Sequence, residues 1–361
     1  MQHVLDPTAA DLKTWMAEHG QPAYRAAQVR RWLFERRAAD WSGMSDLSKP
    51  LRGELADSYQ FWTTEIANHT RAADGTEKLL LSLADGQQVE CVLLRDGIRR
   101  SICISTQVGC GMGCVFCASG LDGVVRNLTA GEIVEQMLRL DRLLPEGERL
   151  SHVVVMGMGE PLANLPNLLA ALDEASAKNG LGISSRRITI STVGLPPAMR
   201  RLSEHTTHYQ LAVSLHAPDD ELRRQLVPVA EQIKLDDVLA EADRYFETSG
   251  RRLTFEYVLL GGLNDRADHA KRLAELLVDR TAMLNVIPYN PVSGLPYRTP
   301  APAAISTFCT ILRRAGINVN VRFRKGDKIN AACGQLRRMS AGPKSASKRS
   351  LVALAPDRIG N

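Results

Sequence analysis

Short apolar runs of strand length alternate with amphipathic stretches of helix length from about residue 100 to residue 325. The predicted strands are 101–107, 152–157, 187–192, 209–216, 253–260 and 282–289, with a further strand at 318–323. The predicted helices between them are 130–144, 165–178, 196–204, 234–248 and 268–278. This rhythm is typical of a parallel sheet with helical crossovers. Six units instead of eight predict an α/β fold, a partial (β/α)6 TIM-like barrel with functional groups at the carboxyl ends of its strands.

Three strand-like runs precede the barrel and are separated by two Asp-Gly turns. They cover 78–83, 88–95 and 99–105, with the turns at Asp85-Gly86 and Asp96-Gly97. Asp-Gly between two apolar runs is a strong hairpin signal, so the pattern predicts an antiparallel β-meander. The meander leads the chain directly into the barrel.

The first 75 residues are predicted to be helical. Between 24 and 37 an apolar stripe contains Val29, Trp32 and Leu33. The basic residues of this helix are Arg25, Arg30, Arg31, Arg36 and Arg37. They fit either contacts with a nucleic-acid phosphate backbone or an ordinary solvated helix face.

Composition narrows the class of protein. The 361 residues are 44% hydrophobic with a net charge of +5, which is typical of an ordinary globular chain and permits an anionic partner. No apolar run of about 18 residues occurs, and the first six residues lack the layout of a signal peptide. Seven cysteines, three of them within eight residues, favour a reducing cytoplasm and metal chemistry over a disulfide scaffold.

The most specific chemical signal is the loop Cys110-Gly111-Met112-Gly113-Cys114-Val115-Phe116-Cys117. Three thiols in one short loop can wrap an inorganic centre, because thiolates ligate both zinc and iron–sulfur clusters. Structural zinc usually takes four protein ligands in two separated pairs, whereas this single triplet leaves one position open. The spacing therefore favours a 4Fe–4S cluster with one free iron, and zinc stays the alternative.

Polar residues and glycines follow four of the predicted strands. They are Gly159, Glu160, Ser191, Ser214, His216 and Asn290. Each polar residue alone could cap the helix that follows it. Because the carboxyl ends of parallel strands meet at one edge of a barrel, together they outline a ligand pocket.

Three further residues are candidates for chemistry. Cys333 lies between small residues and is followed by a glycine, so it is predicted to be an accessible thiol. Cys103 lies seven residues before the first cysteine of the loop, on a strand that could aim it into the barrel mouth. Glu90 is either a base with a raised pKa among apolar neighbours or part of a solvated sheet face. Cys91 and Cys309 are predicted to be buried.

The three-cysteine loop, with an aromatic residue before its last cysteine, resembles the signature of the radical S-adenosylmethionine (SAM) enzymes. A narrower resemblance lies in Gln107-Val108-Gly109-Cys110, Gly157-Met158-Gly159-Glu160-Pro161, Ser214-Leu215-His216-Ala217, Pro288-Tyr289-Asn290-Pro291 and Ala331-Ala332-Cys333-Gly334-Gln335-Leu336. Together these motifs resemble the bacterial radical SAM RNA adenosine methyltransferases. That family acts on 23S ribosomal RNA, and its carbon-2 methylating branch also acts on certain transfer RNAs. The likeness runs from about residue 20 to residue 338.

The resemblance implies methylation of carbon 2 of an adenosine in the peptidyl-transferase centre and of an anticodon-loop adenosine in transfer RNA, with two SAM molecules. It implies a 4Fe–4S cluster on Cys110, Cys114 and Cys117. It implies SAM contacts at Gly159, Glu160, Ser191, Ser214, Leu215, His216 and Asn290. In this family a cysteine matching Cys333 carries the methyl group as S-methylcysteine. Glu90 matches the proton acceptor, and Cys103 matches the thiol that forms a transient disulfide with Cys333.

The predicted organisation follows from both kinds of reasoning. It comprises a helical RNA-binding accessory domain at 1–75, a meander extension at 76–100, a radical SAM barrel with the methyl-carrying loop at 101–338, and a basic tail at 339–361. Lys344, Lys348 and Arg349 in the tail are candidate phosphate contacts. The expected partners are 23S ribosomal RNA, transfer RNA and a reducing electron donor such as flavodoxin. We expect a cytoplasmic monomer without membrane contact.

Three alternatives stay open. A sister branch with the same fold and cysteine pair methylates carbon 8 of the same ribosomal adenosine and confers antibiotic resistance. A non-catalytic RNA module would be colourless and would hold stoichiometric zinc. A radical SAM activase that places a glycyl radical on a partner would have no use for Cys333.

Overall fold

The computed structural model describes residues 1–8, 11–322, 326 and 329–336. The strands are β1 (Gln2–His3), β2 (Tyr59–Gln60), β3 (Thr64–Arg71), β4 (Glu77–Leu83), β5 (Gln88–Asp96), β6 (Arg99–Cys103), β7 (Gln107–Gly109), β8 (Val124–Asn127), β9 (His152–Val155), β10 (Ile188–Thr192), β11 (Gln210–Ser214), β12 (Leu253–Leu259), β13 (Ala282–Pro288) and β14 (Asn318–Val321). The helices are α1 (Leu12–Glu18), α2 (Tyr24–Phe34), α3 (Lys49–Ser58), α4 (Ala130–Asp141), α5 (Leu165–Ser176), α6 (Pro196–Ser203), α7 (Asp220–Leu226), α8 (Leu235–Ser249), α9 (Ala267–Leu277) and α10 (Pro302–Arg314). The predicted tail, with its candidate phosphate contacts, lies outside the described residues.

Seven parallel strands form the partial barrel. β6 and β9 to β14 pair in chain order, and helices α4 to α10 provide the six crossovers between them. Val153, Ile188 and Ile190 are fully buried in the core shared with these helices. Ser191 and Glu256 instead line the cleft inside the barrel. This strand order confirms the predicted α/β partial barrel. The long apolar runs of the sequence predict it, because the strands of a parallel sheet covered by helices are buried on both faces.

The meander continues the barrel sheet without a break. β3, β4, β5 and β6 pair antiparallel in that order, and β6 also pairs in parallel with β9. The result is one sheet of ten strands in the described part of the chain. The three predicted runs of the meander correspond to β4, β5 and β6.

Strand β3 contradicts the prediction that residues 1–75 are wholly helical. Its sequence, TEIANHTR, is mostly polar and exposed, because it forms an edge of the sheet. An irregularity between Ile66 and Asn68 also breaks the period-two pattern. Pairing with the buried leucines of β4, and not its own periodicity, makes this segment a strand.

Helix α2 and the residues that follow it join the N-terminal helices to the barrel through two arginines. Arg37 donates to Asp141 Oδ2 of α4 at 2.7 Å and to the Glu148 carbonyl at 2.6 Å. Arg30 forms an ion pair of 2.6 Å with Glu174 of α5. These two arginines therefore bind protein groups, which is neither of the two alternatives predicted for them, phosphate contact or a solvated helix face. Arg31 on the same helix is exposed.

The described helices are all too short or too polar to cross a lipid bilayer.

Candidate active site

A cleft opens at the carboxyl ends of the barrel strands. Its empty volume, which includes open solvent at the mouth, is 910 Å³. Ten of the thirteen predicted site residues line it. They are Cys110, Cys114, Cys117, Gly159, Glu160, Ser191, Ser214, His216, Asn290 and Cys333. Leu215 is fully buried beside the cleft, and Glu90 and Cys103 lie on the adjoining face of the meander.

The three-cysteine loop is held by backbone contacts on both sides. The hairpin of β7 and β8 lies next to it, and the Cys110 amide donates to the Gly123 carbonyl at 2.9 Å. Gly109 has φ of +80°, and a Cβ there would overlap the same carbonyl group. On the other side, the Val115 amide donates to the Leu226 carbonyl of α7 at 3.1 Å. The loop is thus fixed at the cleft independently of any ligand.

Desolvation dominates the pKa values of the thiols in this loop, and at Cys114 the positive charge of Arg223 opposes it. Burial raises the pKa of Cys110 to about 12, and the neighbouring Cys117 and Glu160 add to the effect. Burial also raises the pKa of Cys114 and of Cys117. A bound metal removes such protons outright, because it stabilises thiolates. Three sulfur donors in one largely apolar pocket fit a 4Fe–4S cluster.

Glu160 connects the carboxyl ends of β9 and β10 by hydrogen bonds. Its carboxylate accepts hydrogen bonds from the Leu162 amide at 3.0 Å, the Thr192 hydroxyl at 2.6 Å and the Val193 amide at 3.0 Å. Burial raises the pKa of this carboxyl, and the three hydrogen bonds oppose the shift. The side chain therefore shapes the cleft between β9 and β10, besides adding negative charge near the cysteine loop.

His216 projects into the cleft from a backbone of unusual conformation. Its φ of +62° lies in the left-handed region, and Asn264 Nδ2 donates to its carbonyl at 2.9 Å. The Val258 amide donates to Nδ1 at 3.1 Å, which leaves the proton of the neutral ring on Nε2. Burial lowers the pKa of His216 to about 3, and the positive charge of Arg223 contributes. The ring is therefore neutral at physiological pH.

The segment 329–336 carries Cys333 against the cysteine loop. The Ala118 amide donates to the Gly334 carbonyl at 2.8 Å, and the Ser119 hydroxyl donates to the Leu336 carbonyl at 2.6 Å. Asn290 Nδ2 donates to the Cys333 carbonyl at 3.1 Å. Asn290 Oδ1 is buried and has no hydrogen-bond partner among the described residues, so it offers an acceptor to a ligand with N–H or O–H groups.

Cys333 is exposed and faces the cleft. The surrounding walls desolvate its thiol and raise its pKa to about 12, and the negative charge of Glu256 adds to this while Arg322 opposes it. Cys103 also lies close enough to affect the same thiol. The exposure of Cys333 agrees with the prediction that this residue is an accessible thiol.

Glu90 and Cys103 share one face of the meander. Cys103 of β6 lies opposite Val92 of β5, and Glu90 lies two residues along that strand. Glu90 is 5% exposed, so the alternative of a solvated sheet face is wrong. Burial raises the pKa of Cys103 to about 12, and a backbone hydrogen bond from Met156 opposes this shift.

A buried serine connects this face to the cleft. The Ser105 hydroxyl donates to the Glu90 carbonyl at 2.6 Å and accepts from the Met158 amide at 2.8 Å. Gln136 of α4 in turn holds Ser105, accepting from its amide at 2.9 Å and donating to its carbonyl at 3.0 Å. These contacts fix the positions of β5 and the end of β9 relative to each other.

Two charged residues are missing from the sequence prediction, one in the cleft and one beside the segment 329–336. Glu256 of β12 is buried, accepts from the Ser191 hydroxyl at 3.1 Å and lies 3.4 Å from Arg322 Nη1. A carboxylate within an otherwise apolar parallel strand is the signal that could have revealed it. Lys78 of β4 is the second, and its contacts are described below.

The fold and the site define a class. A partial parallel barrel with three cysteines in the loop after its first strand, facing a cleft at the strand ends, is the arrangement of a radical SAM enzyme.

Comparisons with known proteins agree and go further. The radical SAM superfamily matches residues 104–277, and the ribosomal RNA large subunit methyltransferase N-terminal domain matches residues 2–60. The chain is 63% identical over 336 residues to a probable dual-specificity RNA methyltransferase RlmN of Rhodopirellula baltica, covering 93% of this chain and 91% of that one. It is 49% identical over 325 residues to the protein of that name from Symbiobacterium thermophilum, covering 89% and 87%.

A solved structure gives the same answer. The crystal structure of a radical SAM methyltransferase from Sphaerobacter thermophilus superposes with a TM-score of 0.90 at 40% identity, covering 93% of this chain and 99% of that one. The chain therefore belongs to the family of the RlmN-type radical SAM RNA methyltransferases.

Proposed function

We propose that this protein methylates carbon 2 of one adenosine in 23S ribosomal RNA and of an anticodon-loop adenosine in transfer RNAs. The name shared by its relatives, dual-specificity RNA methyltransferase, supports RNA as the substrate. The observation that carries the proposal is the thiol of Cys333, which faces the same cleft as the three-cysteine loop. A radical SAM activase that places a glycyl radical on a partner would have no use for this thiol.

The chemistry of the target explains why such a thiol is needed. Carbon 2 of adenine lies between two ring nitrogens and is electron-poor, so it cannot attack a methyl sulfonium as an amine does. A carbon radical can add to it. A 4Fe–4S cluster and SAM, when bound, supply a transferable methyl group and a 5′-deoxyadenosyl radical.

Residues of the cleft hold these groups. Cys110, Cys114 and Cys117 ligate the cluster, and the backbone at Gly159 and Glu160 binds the methionine part of SAM. Ser191, Ser214, Leu215, His216 and Asn290 form the rest of the SAM site. The neutral His216 ring offers an N–H donor, and Asn290 Oδ1 offers a buried acceptor. SAM has groups of both kinds.

Cys333 accepts the methyl group. A sulfur–carbon bond forms on its Sγ while the methyl–sulfonium bond of SAM breaks, giving S-methylcysteine. Because the pKa of Cys333 is raised to about 12, the thiol must lose its proton during this step. Arg322, which faces the thiol, favours the thiolate that forms. The methyl group on Cys333 would then lose one hydrogen atom to the 5′-deoxyadenosyl radical that a second bound SAM would supply, which leaves a methylene radical on the cysteine sulfur.

Release of the product falls to Glu90 and Cys103. Once the methylene carbon is bonded to carbon 2, the ring radical would pass one electron to the bound 4Fe–4S cluster, which cleavage of SAM would have left oxidised. Glu90 would then accept the proton on carbon 2, and the C–H electron pair would restore the aromatic ring. Cys103 sulfur then attacks Cys333 sulfur. A disulfide forms, the sulfur–carbon bond breaks, and the methylene carbon keeps that electron pair and takes a proton to become a methyl group. Reduction of the disulfide resets both thiols.

We expect the electrons to come from a low-potential donor of the flavodoxin class, and we expect the protein to act as a cytoplasmic monomer. The exposed Arg31 is the residue of α2 that is available to RNA phosphate.

The test is anaerobic reconstitution with iron and sulfide, followed by reaction with labelled SAM and an RNA fragment. We expect a brown protein that yields 2-methyladenosine by mass spectrometry. Cys333→Ala should abolish RNA methylation and keep the cluster, whereas Cys309→Ala, in helix α10, should keep both. If 8-methyladenosine is the main product, carbon-8 methylation replaces the proposed carbon-2 methylation. Stoichiometric zinc without iron would refute the proposal as a whole.

A further inference from the structure

Lys78 lies where the meander meets the segment that carries Cys333. Its Nζ is 2.7 Å from Glu90 Oε1 and donates to the carbonyl of Asn330 at 3.2 Å. Asn330 stands three residues before Cys333 and has a left-handed φ of +51°. One ammonium group thus contacts both the carboxylate and the backbone of the segment 329–336.

The register of the sheet brings a third functional residue to the same place. Lys78 of β4 lies opposite Val92 of β5, and Val92 lies opposite Cys103 of β6. Residues directly opposite one another on neighbouring strands point to the same face of a sheet. Lys78, Glu90 and Cys103 therefore share the face that the Cys333 segment approaches.

Lys78 and Glu90 form an ion pair that is largely buried. The side chains of Lys78 and Glu90 are only 12% and 6% exposed. A buried ion pair stabilises a protein little compared with apolar residues of the same size, because both charges lose their hydration. Placing such a pair next to Asn330 is better explained by a need for orientation than by a need for stability.

We propose that Lys78 is a positioning residue that fixes the Glu90 carboxylate and the Cys333 segment relative to each other. With Lys78 in place, the carboxylate is held at the backbone of the segment that carries Cys333. Lys78 exchanges no proton with the RNA. The inference rests on the proposed function, because it assigns a partner to the base in the release step.

The step that depends on Lys78 is the transfer of the proton from carbon 2 of the adenine to Glu90. Without the ammonium group, the carboxylate loses a charge-assisted hydrogen bond, and its oxygen is no longer held at the segment. Methyl transfer to Cys333 comes earlier and does not use Glu90. The hydrogen bonds from Ala118, Ser119 and Asn290 still hold the segment at Cys333 when Lys78 is replaced. Loss of Lys78 should therefore stop the reaction after the RNA has become attached to Cys333.

The experiment compares the reconstituted full-length enzyme with Lys78→Met, Lys78→Arg and, as a matched control, Lys271→Met on the exposed face of α9. Three quantities are measured in a single turnover with an RNA fragment. These are methylation of Cys333 by peptide mass spectrometry, 2-methyladenosine, and covalent protein–RNA adduct on a denaturing gel. Cys103→Ala serves as the reference for adduct accumulation.

We expect Lys78→Met to methylate Cys333 at the rate of the unmodified enzyme and to form 2-methyladenosine about 10- to 100-fold more slowly, as loss of a charge-assisted hydrogen bond predicts. The adduct should persist, Lys78→Arg should recover product, and Lys271→Met should behave as the unmodified enzyme. Product formation by Lys78→Met at the unmodified rate would overturn the inference. So would loss of product without adduct while iron content is unchanged.

Failure of the proposed function itself looks different. In that case the unmodified enzyme forms neither methylated Cys333 nor methylated RNA, before any lysine variant is compared.

Discussion

His216 illustrates how much one residue can be constrained by its site. A left-handed backbone at a non-glycine residue costs about 1–2 kcal/mol, and here two hydrogen bonds to neighbouring elements hold it. The same burial that fixes the ring keeps it neutral. Backbone strain of this kind is found at ligand sites, and here it directs the His216 side chain into the cleft.

The depressed pKa of His216 predicts a measurable acid sensitivity. Because its pKa in the folded protein is about 3, this group contributes stability that is complete above pH 6.5 and is lost as the pH falls from 6.5 towards 3. His216→Asn keeps a residue that tolerates the left-handed region. Between pH 7 and pH 5 the free energy of unfolding should fall by about 2 kcal/mol less in this variant than in the unmodified protein.

Urea unfolding of the cluster-free protein at the two pH values measures this difference. Equal losses in both proteins would show that the ring is protonated in the folded state.

Some residues could be predicted from the sequence and others could not, for a physical reason. Cys110, Cys114 and Cys117 are close in the chain, so their spacing alone brings them together. The roles of Glu90 and Cys103 came only from a family resemblance. Lys78 was missed because its contact with Asn330 joins residues 252 positions apart, and no local pattern encodes such a pair.

At the scale of single elements, the β7–β8 hairpin determines how the three-cysteine loop is presented. Gly109 is the critical position, because its φ is +80° and any side chain would meet the Gly123 carbonyl. Gly123 also has a positive φ, of +67°, but it has open space around its Cα. A comparison of alanine variants at these two glycines therefore distinguishes the effect of steric overlap from the cost of a positive φ.

Gly109→Ala should weaken cluster binding far more than Gly123→Ala. The second change costs about 1–2 kcal/mol from the left-handed backbone alone, whereas the first adds an overlap that must displace the loop. We expect less than half the iron per chain in reconstituted Gly109→Ala, and nearly full iron in Gly123→Ala. Iron and sulfide analysis after anaerobic reconstitution measures this, and equal iron in both variants would contradict the steric explanation.

Helices α7 and α10 have no counterpart among the predicted helices, but most other barrel elements were predictable because their strands are largely apolar and their helices are amphipathic. Edge strand β3 was not, since its eight residues are mostly exposed and its conformation depends on the neighbouring β4. Local pattern thus suffices for buried elements and fails where pairing with a distant segment decides the structure.

At the scale of the whole molecule, the N-terminal helices are fastened to the barrel and share its core. Leu33 and Leu55 of these helices belong to the same apolar cluster as Leu168 of α5. Arg37 adds hydrogen bonds to Asp141 and to backbone carbonyls after α4. The helices and the barrel should therefore unfold together.

Arg37→Met should lower stability without a specific effect on RNA affinity. It leaves the carboxylate of Asp141 buried without its partner, which costs about 3–5 kcal/mol when the pair is fully desolvated. Arg31→Met removes an exposed positive charge and should instead weaken RNA binding and reduce its salt dependence. Thermal unfolding and salt-dependent RNA titration distinguish the two, and a swap of these effects would refute the assignment.

The unbroken ladder of ten strands has a consequence for the motions of the catalytic cycle. Glu90 of β5 and Cys103 of β6 belong to the same hydrogen-bonded sheet as the strands that line the cleft, so neither can shift relative to the cleft without breaking hydrogen bonds of that sheet. We therefore expect the carbon atom to be delivered by the reach of one methylated side chain on a short peptide, with the scaffold stationary.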